Sequence, residues 1–360
     1  MAEENRQPGY EELMERAGVA YRELRLEEAL ENYRAAQELQ PASYDAYLGQ
    51  ARTLYRMRRE QDAYRAAEKA VELDPQRPEG YATLGVLHFL TDRYAEATSV
   101  LQKAMALAPD NPEPHITLAQ VYADEHKYAE ARSELAVARE QVAAIPDEHE
   151  REALMALAWH SETYLLLAEG KDAEAIACAQ VVVALKEANP YAACLAYSNL
   201  GIIEIRERHY DQGVEYLERA YQMNPHNHRV AGMLGRVLIS RNRFARAAEV
   251  LERAVANSPS GSGTIRYFYA MALSRTGQRG ETLTQYRQAL QEGLKGRESL
   301  VARWQTIWLS QAGRYAVIAM LLVAVLAWLL LARPDPKALT LVALLAVILI
   351  LQRMWGRRKR

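Results

Sequence analysis

The sequence predicts an all-α protein: a solenoid of stacked helical hairpins that ends in a pair of membrane-spanning helices. Three observations lead there. Prolines recur every 34 residues, at Pro41, Pro75 and Pro109 and again at Pro225 and Pro259. Between them, apolar and small residues fall at the spacing of one helical face. Near the end, 315–332 and 338–351 carry no charge at all.

The stretch 81–109 shows one unit. Apolar or small residues stand at 81, 84, 85 and 88, then at 94, 97, 101, 104 and 107, which describes two amphipathic helices. Gly85 and Ala97 are small where the helices must approach closely. Thr91, Asp92 and Arg93 form a polar turn, with Thr91 or Asp92 expected to cap the second helix. Pro109 stops that helix because its ring cannot continue the backbone hydrogen bonding. The same register holds along the chain. Ala29, Ala63, Ala97 and Ala131 occupy one small position, and Ala36, Ala70, Ala104 and Ala138 a second. Leu84-Gly85 recurs as Leu200-Gly201 and Leu234-Gly235.

This pattern resembles the tetratricopeptide repeat (TPR) family over about four-fifths of the chain. The resemblance implies a right-handed superhelix whose first helices line a concave groove for peptide or helical partners. Eight repeats fit. Residues 1–9 are polar and expected to fray. Repeats one to four occupy 10–145 without a gap, the first being least typical, with Ala17 and Ala20 where a Gly and a Tyr are usual. Repeats five to eight occupy 146–296. The register slips by ten at 146–155, read as an extension of a first helix running from about 147 to 168. Pro146 suits a helix start, and acids in the first turn suit the helix dipole. Repeat six is placed at 194–227 and repeat seven at 228–261. Repeat eight is degenerate, with Thr282 in place of the small Ala.

An amphipathic helix is expected over 297–314, with Leu300, Val301, Trp304, Ile307 and Trp308 on one face. It suits either a membrane interface or a cap on repeat eight. Transmembrane helix 1 follows at 315–332, about 27 Å long, and transmembrane helix 2 at 338–355, with Arg353 snorkelling. A basic tail closes the sequence at 356–360. The net charge of −2 hides a split: 297–360 carry +8 and the remainder −10. That split argues against nucleic-acid binding by the repeats and for a basic end against anionic lipid. Trp304, Trp308, Arg314, Trp355, Arg357 and Arg358 are the expected membrane-interface residues. Basic flanks and an N-terminus lacking a secretory signal place the repeats and the C-terminus on the cytoplasmic side of an inner or plasma membrane. Arg outnumbers Lys 36 to 8, a bias common in GC-rich bacteria.

No catalytic constellation stands out, so the chain reads as a non-enzyme without cofactor or metal. There is no Gly-rich phosphate loop and no nucleophile elbow. Gly261 to Gly263 reads as a turn between repeats. His226 and His228 lack a third ligand and read as a solvated turn. Cys178 and Cys194 form no CxxC pair and read as small buried residues of a reducing compartment. Partner-binding residues are carried over from the family's groove positions: Tyr21, Arg22, Arg52, Tyr55, Arg56, Phe89, Gln120 and Arg236. The plainer alternative is that the aromatics pack between repeats and the arginines are solvated. Met14, Gly18, Leu48, Arg52, Ala82 and Val86 depart almost everywhere from the family's carboxylate clamp, so a chaperone-tail receptor is not expected. The reading is a membrane-anchored adaptor with a protein or peptide in its groove and lipid at its hairpin. The alternative is a membrane-active effector, self-associating through the hairpin, which the repeats sense or restrain.

Overall fold

The structure is a computed structural model that describes residues 8–258 and 263–310, together with 315, 318–320 and 323–324. The described residues form seventeen α-helices and no strand. Sixteen pair into eight hairpins: α1 (Tyr10–Arg22) with α2 (Leu26–Leu39), α3 (Tyr44–Arg56) with α4 (Glu60–Leu73), α5 (Pro78–Leu90) with α6 (Tyr94–Leu107), α7 (Pro112–Asp124) with α8 (Tyr128–Ala143), α9 (Glu148–Ala168) with α10 (Asp172–Ala184), α11 (Pro190–Arg206) with α12 (Tyr210–Met223), α13 (His228–Ser240) with α14 (Phe244–Ala256), and α15 (Gly263–Thr276) with α16 (Arg279–Gln291). The seventeenth, α17 (Gly296–Leu309), packs on α16 and α15. First helices also touch the next first helix (α1 with α3, α3 with α5, α5 with α7, α7 with α9, α9 with α11), and so form an inner layer.

Small residues set how closely the helices of a hairpin approach. A Cβ on Gly85 would lie 2.4 Å from Leu101 Cδ2, and one on Gly235 only 2.3 Å from Leu251 Cγ. Both leucines are fully buried, so neither can yield. Ala29, Ala63, Ala97 and Ala131 are fully buried, as are Ala36, Ala70, Ala104 and Ala138. In the degenerate eighth repeat Thr282 fills the small site, and its hydroxyl donates to the Gln278 carbonyl at 2.8 Å.

Each hairpin turns through a left-handed residue. Leu24, Arg58, Asp92, His126, Arg208 and Asn242 have φ between 59° and 68°, and Gly170 and Gly277 take the same place. The following N–H closes back five residues, as Arg59 does to Leu54 O at 2.9 Å and Arg93 to His88 O at 2.9 Å, which satisfies a carbonyl left over at the helix end. Asp92 is therefore the turn residue rather than a cap. The N-cap of α6 is Arg93, which makes no side-chain cap.

These turns also locate the irregularities. The turn after His126 falls at Gly170, ten residues late, and the next at Arg208, four residues late. The first delay lengthens α9 to 21 residues against 13 for α7. Its N-cap Asp147 accepts from the Glu150 N–H. The second delay corrects the expected start of repeat six at 194. Residues 190–193 are the first turn of α11, with Pro190 leading and the Asn189 side chain accepting from the Ala192 N–H. Asn189 also donates to Ala153 O at 2.9 Å, which ties α11 to the added part of α9.

The inner layer curls until the solenoid meets itself. Asn224 Nδ2 donates to Arg56 O at 3.0 Å, and His226 Nε2 lies 2.5 Å from Glu27 Oε1. Tyr55 meets Tyr191 edge to face. We call this line of contact, between the first two repeats and the sixth and seventh, the seam. It corrects the view of 226–228 as a solvated turn: His228 is buried, and His226 bridges to the other end of the array.

The helix expected over 297–314 ends at Leu309, with Ser310 extended after it. It packs on the last repeat through Ala302 and Leu309. The opposite face is bare: Leu300 is 67% exposed, Trp304 54% and Trp308 51%, with Val301 and Ile307 beside them. Trp304 and Trp308 stack at 6.4 Å. No helix among the described residues is long and apolar enough to cross a membrane. The expected transmembrane helices at 315–332 and 338–355 lie almost wholly outside the described residues, as do Arg314, Trp355, Arg357 and Arg358.

Candidate functional site: the interior cavity

Inside the seam lies a partly open cavity of about 680 Å³, bounded by α1, α3, α5, α7, α9, α11 and α13. Its volume falls among ligand pockets, about 300–1,000 Å³. Seven of the eight expected groove residues line it: Tyr21, Arg22, Arg52, Tyr55, Arg56, Phe89 and Gln120. Arg236 does not. Helix α13 reaches the cavity with its first turns, through Arg229, Val230 and Met233, whereas Arg236 is exposed beyond the seam.

The aromatic column at 21, 55 and 89 has partners from elsewhere in the ring. The Arg56 guanidinium lies 3.7 Å from the Tyr21 ring centre and 4.5 Å from that of Tyr191. Arg56 also donates to Tyr21 O at 3.1 Å. Phe89 meets Tyr164 of α9 edge to face at 5.9 Å. Such contacts are worth about 0.5–2 kcal/mol each. Arg52 reaches across two repeats, with Nη2 3.1 Å from Glu113 Oε2 and Nε donating to Thr83 Oγ1. Burial opposes its charge most strongly, and Glu113 together with Tyr21, Tyr55 and Glu79 more than offsets that, so its pKa is raised. Gln120 donates to Ser161 Oγ at 2.7 Å. The aromatics therefore pack, as the plainer alternative has it, but Arg52 and Arg56 are engaged rather than merely solvated.

Several interior residues escaped the sequence reading. Asp124 accepts from Tyr164 at 2.6 Å and from Tyr94 at 3.1 Å. Burial, then that carboxylate, raises the Tyr164 phenol far above its ordinary range. His160 is 7% exposed, has no partner for Nδ1, and is pushed down to about 4 by burial. His228 is likewise pushed down to about 4, by burial first and then by Arg58 and Arg229. Both imidazoles are neutral near pH 7. Tyr191 had no repeat-pattern signal because it stands in the four-residue shift before α11 regains step. Among the described residues no three His, Cys, Asp or Glu side chains gather as a metal site requires. Cys194 is buried, and its thiol donates to Ala220 O.

Two models of the tetratricopeptide repeat match the sequence, one at 14–78 and 48–112, the other at 88–158 and 204–273. Together they cover more than half of the chain. The chain belongs to the tetratricopeptide repeat family. TPR proteins act as protein-interaction scaffolds and bind protein partners. No curated protein matches the sequence. Among solved structures, the chain is similar to the crystal structure of the APC/C hetero-tetramer Cut9-Hcn1, at 14% identity and a TM-score of 0.55 over 83% of this chain and 55% of that one. It thus spans about half the length of that relative, and the likeness shows the fold alone. A structure from the functional characterization of Pseudomonas aeruginosa pilF aligns at 16% identity and a TM-score of 0.49, over 63% of this TPR chain and 97% of that one.

Proposed function

We propose that this TPR protein is a membrane-anchored adaptor, which takes a segment of a partner protein into its partly open interior at the cytoplasmic membrane face. The observation that carries the membrane part is α17. It is fastened to the last repeat by Ala302 and Leu309, yet turns Leu300, Val301, Trp304, Ile307 and Trp308 outward. Stacked Trp side chains favour a bilayer interface, since their bodies are apolar and their N–H groups prefer water. Two uncharged stretches, 315–332 and 338–351, follow in the sequence. Held at a surface, the cavity would meet its partner at raised effective concentration.

Two measurements test this. In membrane fractionation with an alkaline wash, the full chain stays in the pellet, and a chain ending at 310 is released. A full chain found in the supernatant sinks the anchor. In a crosslinked pull-down from native membranes, a discrete partner is lost when Arg52, Tyr55 and Arg56 are changed to alanine. Because Tyr55 and Arg56 also hold the seam, Tyr191→Ala serves as control: it loosens the seam and leaves Arg52 in place. Crosslinks only between copies of the chain sink the adaptor and favour the effector.

A further inference from the structure

At the seam, guanidinium groups outnumber the carboxylates that face them. Arg56 and Arg58 come from the end of α3 and its turn, Arg229 from α13 and Arg22 from the end of α1, and all four line the cavity. Among the described residues Arg22, Arg56 and Arg229 have no carboxylate within ion-pair distance, and Arg58 has only Glu60, at 3.1 Å from Nη2. That pair lacks hydrogen-bond geometry. Arg58 is 7% exposed, and both Nε and Nη2 are buried without a hydrogen-bond partner; Arg56 Nε is in the same condition. Nε and Nη2 form one edge of the guanidinium, two parallel donors spaced for two oxygens of one carboxylate. Leaving such donors unmet in a buried place is costly. The neighbouring His228 is neutral and supplies no charge. Burial, with Arg229 nearby, lowers the Arg58 pKa in spite of Glu60, as an arginine short of counter-charge would show. Elsewhere the lining carries the carboxylates of Asp92, Glu113, Asp124 and Glu150, of which Glu113 pairs with Arg52 and Asp124 accepts from Tyr164 and Tyr94, beside apolar and aromatic side chains that include Tyr55, Phe89, Leu154, Leu195 and Ile202. The apolar and aromatic ones suit the body of a peptide rather than a free ion.

We propose that Arg58, with Arg56 and Arg229, forms an anion subsite across the seam that takes a carboxylate of an acidic peptide segment lying in the cavity. The subsite rests on the adaptor reading and names the chemistry of its partner. One guanidinium edge matches one carboxylate, whereas a phosphate dianion presents three oxygens and asks for more forked donors. The acidic segment would join the two ends of the ring from inside and replace the unmet donors with bonds.

The test uses the full chain in detergent micelles and three mixtures of acetylated, amidated hexapeptides, with leucine and tyrosine at the flanks. The central pair is aspartate or glutamate in the first, asparagine or glutamine in the second, and phosphoserine in the third. The acidic mixture should bind about tenfold more tightly than the amide mixture. Arg58→Gln and Arg229→Gln should each remove most of that preference and leave amide binding unchanged. Arg58→Gly, which suits the left-handed turn and keeps the fold, should do the same. Equal binding of acid and amide overturns the proposal, as does a preference that survives these variants or no binding of either mixture. Tighter binding of the phosphoserine mixture makes it a phosphate site instead. Acetate that competes as well as the acidic peptides reduces it to a free-ion site. A cellular partner captured equally by the wild type and Arg58→Gln leaves the adaptor standing and removes the subsite alone. Loss of every partner from the wild type removes the adaptor itself.

Discussion

The first four repeats keep step at 34 residues, and the four after them do not. In α1–α8 the left-handed turns fall at 24, 58, 92 and 126. In α9–α16 they fall at 170, 208, 242 and 277, after delays of ten and four residues and a last one of a single residue. The interior contacts differ in the same way. The regular half presents its aromatics and arginines in columns. The irregular half supplies the residues that meet them: Tyr164 from the lengthened α9, Tyr191 from the lengthened α11, and Asn224 and His226 from the turn that follows α12. Extra residues in one half let it close on the columns of the other.

The largest test of this contrast removes the longest delay. Deleting 149–155 takes about two turns, or about 10 Å, from α9 and keeps its helical phase. It also removes His149, Glu150, Ala153 and Leu154 from the cavity wall, together with the carbonyl that holds Asn189. Spin labels at Glu31 and Arg236, in a background without the native cysteines, should move apart by about 10 Å. An unchanged distance would mean that α9 does not set the closure.

A smaller effect separates the halves by pH, because both strongly depressed histidines lie in the irregular half. Their folded values, about 4, lie below the ordinary value near 6.5. The unfolded chain therefore binds more protons between those limits. The stabilisation is complete above about pH 6.5 and declines as pH falls toward 4. By pH 5 each histidine should cost about 2 kcal/mol. Urea unfolding at pH 7 and pH 5 measures this, and a His160→Leu, His228→Leu variant should lose markedly less. If that variant loses as much as the wild type, the buried imidazoles are not the cause.

The smallest effect concerns the turns. Arg208→Gly removes a left-handed arginine and should stabilise by about 1 kcal/mol, whereas Gly170→Ala at φ 77° should cost about as much. Equal midpoints in thermal unfolding would show that turn strain does not distinguish these sites.

Local features were readable from the sequence, and closure was not. The helix pairs, the Gly85 and Gly235 approaches and the long α9 follow from spacing, because each is decided by residues within one repeat of each other. The same holds for the inward placing of Tyr21, Tyr55 and Phe89, which share one column. The seam depends on angles that accumulate over six repeats, and no spacing announces that Glu27 will meet His226. The outward face of α17 shows a different limit. Its apolar stripe is plain in the sequence, but the sequence does not say that Ala302 and Leu309, on the other side, do the packing. Arg236 was misplaced because the column rule takes no account of where the ring shuts.

A solenoid of nearest neighbours behaves as a string, and strings fray from their ends. This one has its first repeat pinned to the turn between its sixth and seventh through Glu27 and His226. The pin shelters the N-terminal hairpin from the open end a string would leave there. Amide protons in α1 and α2 should then exchange in concert with those of α12 and α13, although nearly two hundred residues separate them. Loosening either partner would release both places together, so a ligand gripping the seam would be felt as order at two distant points of the chain.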